Sequence, residues 1–141
     1  MIRYLLDTDI ASYFLKKHDM ALVARVHTAL MANQVAISAV TRAELRYGQA
    51  LLPVEAARRR TLIDVFLADV PVLDWGARVA DRYGAVAADL RRRGQPIGCR
   101  DTKIAAHALA EVLILVTNNL DDFRRVPGLR LENWLVRSAP P

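Results

Sequence analysis

Four segments of the chain set a carboxylate where a helix is about to begin: LLDTDI, AVTRAEL, IGCRDTKIAA and VTNNLDDF. Their acids are Asp7, Glu44, Asp101 and one of Asp121 or Asp122. Each acid alone has an ordinary explanation. Asp, Asn, Ser and Thr cap helix N-termini, and acids in a first turn suit the helix dipole. Thr41-Arg-Ala-Glu44 reads as a capping box, Asn119-Leu-Asp-Asp122 reads similarly, and Asp101 can cap its own helix. As a set they imply more. Two carboxylates ~5 Å apart repel by ~3 kcal/mol at an effective dielectric near 20. Three or four acids brought together therefore need a cation or raised pKa values. An oxygen-only donor set favours Mg²⁺ or Mn²⁺, which take a few carboxylates and keep several waters. Such an ion orients and deprotonates water, polarises a phosphodiester and stabilises the leaving oxygen.

The acids meet only if the fold brings them together. Four short apolar runs read as strands: IRYLL (2–6), VAISAV (35–40), PVLDW (71–75) and LILVT (113–117), with a weaker fifth in LRLENW (129–134). Helical spacing fills the gaps. Residues 20–33 present Leu22, Val23, Val26 and Leu30 on one face, and residues 41–52 follow the second strand. Pro53 breaks the chain before a helix over 54–70 with Leu62, Val65 and Phe66 inward. Residues 77–92 carry Val79, Tyr83, Val86 and Leu90, and residues 101–112 carry Ile104, Ala108 and Leu109. The alternation predicts an α/β fold, a three-layer α/β/α sandwich around a mainly parallel sheet. In such a sheet the carboxyl ends of all strands share one edge, and ligands bind there. Asp101 joins them if its helix starts at that edge.

The totals agree. A chain of 141 residues fits one domain, residues 1–141, with no repeats and no linker. The tail RSAPP is expected to fray. Hydrophobic residues make up 53% and charged residues 25%, which suits a globular protein and excludes a disordered one. No apolar run approaches the ~18 to 20 residues of a membrane helix, and MIRYLLDTDI does not read as a signal peptide, so the expectation is a cytoplasmic location without membrane contact. Cys99 stands alone and the three histidines form no HExxH pattern, which excludes a cysteine zinc cage and a zincin site. The formal charge of +5 makes an anionic partner plausible, nucleic acid first. Paired with the acids, it points to a metal-dependent nuclease.

The four segments, in this order and spacing, resemble the PIN-domain ribonucleases, and within them the VapC-type toxins of bacterial toxin–antitoxin pairs. The stretches that carry the likeness are YLLDTDI, ISAVTRAELRYG, IGCRDTKIAAHAL and LVTNNLDDFRRVPGLRLENW, nearly end to end. The resemblance implies a compact α/β/α fold, Mg²⁺-dependent endoribonuclease activity (Mn²⁺ substituting), dimerisation, and neutralisation by a VapB-type antitoxin. Asp7, Glu44 and Asp101 match the family's acidic core, with Asp7 and Asp101 as direct metal ligands and Glu44 completing the site directly or through water. Many PIN domains have an Asp where this chain has Asn119. Related toxins with TNN carry an acid just before the Phe, which here is Asp122. Asp122 then takes the catalytic role and Asn119 serves as a neutral ligand or orienter. Thr8 and Thr117 hydrogen-bond ligands or waters, or are structural. Some relatives cut transfer RNA in the anticodon loop, which makes initiator transfer RNA the first substrate to try.

Other residues have two readings each. Arg91, Arg92 and Arg93 form a phosphate clamp or a solvated basic helix end. Arg42 and Arg46 flank Glu44, placed for RNA or for pairing with acids, whereas Arg58 to Arg60 read as a wet face. Cys99 reads as a small packing residue, His107 as a packed or hydrogen-bonded histidine, and Trp75 and Trp134 as core or edge. The apolar face of helix 54–70 is ordinary core or part of a groove for an antitoxin helix. Three rivals remain: a PIN nuclease of RNA maturation, a non-catalytic RNA-binding module, and a Mg²⁺-binding signalling receiver. The receiver needs an acid ending its third strand and a Lys ending its fifth; Asp74 fits the first, and ENW lacks the second.

Overall fold

The structure is a computed structural model and describes residues 1–135; the tail RSAPP, residues 137–141, lies outside the described residues. The elements run β1 (Tyr4–Leu6), α1 (Thr8–Lys16), α2 (Met20–Met31), β2 (Val35–Ser38), α3 (Ala39–Ala50), α4 (Ala57–Asp69), β3 (Val72–Leu73), α5 (Ala77–Arg92), α6 (Cys99–Glu111), β4 (Ile114–Val116), α7 (Leu120–Phe123) and β5 (Leu131–Glu132). The strands form one sheet in the order β3-β2-β1-β4-β5, and every pair is parallel. The expected strands are all present, each shorter than its apolar run.

Side-chain alternation divides the core. Leu6, Ile37 and Val116 face one layer with Ile10 and Ala11 of α1, Leu22 and Val26 of α2, and Phe66 and Leu67 of α4. Leu5 and Leu115 face the other, against Val86 and Leu90 of α5 and Ile104, Ala105 and Ala108 of α6. Neighbouring residues of one strand thus feed opposite cores, the period-two rule of a doubly covered sheet.

Strand order reverses at β1. The chain grows from β1 through β2 to β3 on one side, then crosses back to β4 and β5 on the other. The switch point lies between β1 and β4, where an open parallel sheet has its crevice. Register makes the strand ends level: Leu6 pairs with Ile37 and with Val116. The next residues, Asp7, Ser38 and Thr117, therefore form one row along the carboxyl rim. Asp74 follows the edge strand, two strands away from the crevice.

Several sequence expectations change. The second strand stops at Ser38, whose hydroxyl accepts from the Val40 amide and caps α3. Thr41 is then inside the helix and buried, so no capping box forms with Glu44. The fourth helix starts at Ala57 rather than 54, because Pro53 and its neighbours make a turn closed by the Ala56 amide on the Pro53 carbonyl. Its buried side chains are Phe66 and Leu67, while Val65 is 53% exposed. The helix of Asp101 starts at Cys99 after Gly98, which sits at φ 96, a conformation that disfavours any Cβ. Cys99 is exposed rather than packed and faces the Tyr83 hydroxyl at 3.6 Å.

Candidate active site

Asp7 is the residue that follows the central strand. Its amide donates to the Val116 carbonyl at 2.9 Å, which extends the β1–β4 ladder by one step and seats the carboxylate in the crevice. One carboxylate oxygen accepts from the Thr8 amide at 2.8 Å, and the other accepts from the Thr117 hydroxyl at 2.8 Å. The side chain thus caps α1 and is aimed at the same time. Only 5% of Asp7 is exposed. Burial, together with the charge of Asp9, pushes its pKa up to about 7.

Three more acids surround it. Asp9 in the first turn of α1 lines the same cleft, and burial raises its pKa. Glu44 enters from α3. One oxygen accepts from the Thr8 hydroxyl at 3.2 Å, and the other pairs with Arg100 at 2.9 Å. Thr8 also meets the buried Thr41 hydroxyl at 2.9 Å, so α1 and α3 are stitched beneath the acids. Burial raises Glu44 while the Arg100 charge opposes it. Asp101 lies in the first turn of α6 and makes no cap bond; burial, then the charge of Asp7, raise its pKa. Asn119 completes the wall. Its amide group donates to Asp101 at 3.5 Å and to Asp122 at 3.0 Å, a neutral spacer between two carboxylates.

The cleft lined by Asp7, Thr8, Asp9, Ser12, Tyr13, Lys16, Glu44, Arg100, Asp101 and Asn119 has a volume of about 390 Å³. Of the sequence-nominated residues, Asp7, Thr8, Glu44, Asp101 and Asn119 converge there. Thr117 is fully buried and works from below, donating to Asp7 and accepting from the Asn119 amide at 3.0 Å. Asp122 stands behind Asn119 and within 3.6 Å of Arg125, its charge felt by Asp101. Asp121 points outward to Arg124 with a side chain 94% exposed.

The nominated arginines do not line the cleft. Arg42 donates to the Leu67 carbonyl, Arg46 to Asp64 and Gln49, and Arg93 to Asp89, Gln95 and the Arg125 carbonyl. Each ties elements of the fold to one another. His107 is fully buried with Nδ1 2.8 Å from the Ser38 hydroxyl, and burial lowers its pKa. Trp134 is core, edge-on to Tyr4, and Trp75 donates to the Lys103 carbonyl. Five cleft residues, Asp9, Ser12, Tyr13, Lys16 and Arg100, were not nominated from the sequence. Asp9 sits two positions after Asp7, and that i, i+2 spacing at a helix start was the available signal. Arg100 sits beside Asp101, and nothing in its type or spacing distinguished it.

The donor set is carboxylate and amide oxygen, which suits a hard divalent ion and excludes a thiolate or imidazole site. Among the described residues no three acidic, His or Cys side chains already converge on one point. The raised acids point the same way: burial outweighs the hydrogen bonds on Asp7 and the Arg100 charge beside Glu44 and Asp101.

Residues 4–129 match the PIN domain family model. The chain is 39% identical over 135 residues to Ribonuclease VapC2 of Haemophilus influenzae, covering 96% of this chain and 100% of that relative. It is 38% identical over 136 residues to the tRNA(fMet)-specific endonuclease VapC of Shigella flexneri, covering 95% and 99%. Its fold matches the crystal structure of VapBC2 from Rickettsia felis bound to a promoter DNA fragment, with a TM-score of 0.85, 36% identity, and coverage of 95% of this chain and 99% of that one.

Proposed function

The chain belongs to the PIN-domain family, and from that premise we propose that it cuts RNA with a divalent cation held at the Asp7–Asp101 crevice. It is a ribonuclease of the VapC type, the toxin half of a toxin–antitoxin pair, and its partner is a VapB-type antitoxin. The relatives named for these activities align over almost their whole length. Mg²⁺ is the expected ion, with Mn²⁺ able to substitute, held by Asp7 and Asp101 with Glu44 and Asn119 completing the shell. Bound there, it supplies an activated water and charge neutralisation at the phosphorus.

The chain's own residues divide the remaining work. Thr117 and the Thr8 amide fix the orientation of Asp7. Glu44, oriented by the Thr8 hydroxyl, completes the ion's shell directly or through a bound water. Asn119 separates Asp101 from Asp122 and keeps Asp101 turned into the cleft. Transfer RNA, initiator tRNA first, is the proposed substrate, supported by the named specificity of the Shigella flexneri relative. The protein acts as a homodimer in the cytoplasm. Among the described residues no helix is long and apolar enough to cross a membrane.

The observation that carries this reading is the convergence of Asp7, Asp9, Glu44 and Asp101 on one cleft of a basic protein. Its test is incubation with total cellular RNA, with Mg²⁺ and with EDTA, followed by mapping of the cut ends. Cleavage at discrete sites in Mg²⁺ and none in EDTA is expected. Cleavage that survives EDTA, or that persists in Asp101→Asn at the parental rate, overturns the metal assignment.

A further inference from the structure

Arg100 is oddly placed for a residue with only a structural task. It occupies the first turn of α6, where a cation opposes the helix dipole. Its side chain is 66% exposed while that of its partner Glu44 is 18% exposed, and such half-solvated pairs contribute little to stability. Among the described residues its single polar contact is the 2.9 Å pair with Glu44, so most of its planar fork of N–H donors is unused. A guanidinium with free donors matches phosphate oxygens in shape and charge. Arg42, Arg46, Arg60 and Arg93, by contrast, are bonded within the fold. Arg100 and Lys16 are the two cationic side chains lining the acid cleft.

The cleft also has an electrostatic problem that one divalent ion does not remove. Four carboxylates, those of Asp7, Asp9, Glu44 and Asp101, face the space a phosphodiester must enter. Two positive charges from the ion leave two negative ones, and the cleft meets an anionic substrate without repulsion only because Arg100 and Lys16 also line it.

We infer that Arg100 is a phosphate-gripping residue of this cleft, stored on the Glu44 carboxylate in the free protein and released to RNA when Glu44 turns to the divalent ion. The inference rests on the ribonuclease reading above and adds to it a residue with opposite effects on two ligands. Arg100 competes with the metal for Glu44, and it attracts the substrate. Arg100→Ala should therefore tighten one and weaken the other, a pattern that simple loss of structure does not give.

The test compares the full-length parent, Arg100→Lys and Arg100→Ala. Mn²⁺ is titrated calorimetrically into RNA-free protein, and KM and kcat are measured on the RNA that the parent cuts, across a salt series. For Arg100→Ala, Mn²⁺ affinity should rise about three- to tenfold, since a unit charge close to the ion is removed. KM should rise about fivefold or more, and the dependence of log KM on log salt should flatten by about one. Arg100→Lys should recover part of the KM loss, because it keeps the charge without the fork. Unchanged or weaker Mn²⁺ binding, or an unchanged KM, overturns the role of Arg100 while leaving the ribonuclease reading intact. A parent that binds no Mn²⁺ overturns both.

Discussion

Replacing Asp7 by Asn should destroy activity and, in the absence of metal, make the protein more stable. The carboxylate is 5% exposed, hydrogen-bonded on both oxygens, and still held at a pKa of about 7 against an ordinary 3.8. Its folded value lies above its unfolded value, so the folded protein binds the extra proton between those limits. The stability it contributes is complete below about 4 and is lost as the pH rises through about 7. Once the pH exceeds both values, the gap corresponds to about 4 kcal/mol of lost stability. Asn fits the same volume, accepts from the Thr8 amide and can donate to Thr117. A domain of this length shifts by about 3 °C per kcal/mol, so even half of the effect raises Tm by about 6 °C. The assay is thermal unfolding of parent and Asp7→Asn in EDTA from pH 5 to pH 8, then again with Mg²⁺. The parent should lose Tm with rising pH in EDTA and regain it with Mg²⁺. The variant should be flatter in pH, insensitive to Mg²⁺ and inactive on RNA. A variant no more stable than the parent at pH 8 in EDTA would refute the claim that an uncompensated charge is buried at Asp7.

Thr117→Val should keep the fold but lower the cleavage rate about tenfold or more, since Asp7 loses its aiming hydroxyl and the Asn119 amide loses its acceptor; steady-state kinetics on the mapped RNA checks it. Ser38→Ala removes both the cap of α3 and the partner of buried His107, so urea unfolding should show a loss of about 1 to 3 kcal/mol. Glu44→Gln should weaken Mn²⁺ binding in calorimetry and lower kcat, because it removes a negative charge that the cleft presents to the ion. Arg46→Ala breaks an exposed tie between α3 and α4, and should leave both Tm and the salt dependence of KM close to the parent's.

The fold was readable because its signals are redundant. Runs such as VAISAV and LILVT are too short and too rich in branched residues for helices, and the amphipathic stretches between them fix the alternation. The acids of the site were readable because strand ends in a parallel sheet share an edge. What stayed hidden depends on contacts between distant segments. Asp9 looks like a first-turn acid favoured by the dipole, and only the burial imposed by the neighbouring elements makes it part of the cleft. Thr41 and Glu44 have capping-box spacing, but Ser38 reaches the free amides first, which moves the helix start back and frees Glu44 to face Thr8. Arg42, Arg46 and Arg93 are close in sequence to the site's segments, yet carbonyl groups and acids of other helices hold them. Arg100 had no sequence signal, because its significance lies in a partner 56 positions earlier.

The central position of β1 has a consequence for the timing of assembly. Its Asp7 is aimed by Thr117, a contact that spans 110 positions, and the crevice has no second wall until β4 docks. Synthesis must therefore supply Thr117, 110 positions after Asp7, before that carboxylate is aimed. Until that closing strand emerges the acids lie on an open half-sheet, and long-range pairings of this kind form late. On a growing chain the proposed site is therefore incomplete until the second half of the sheet has paired.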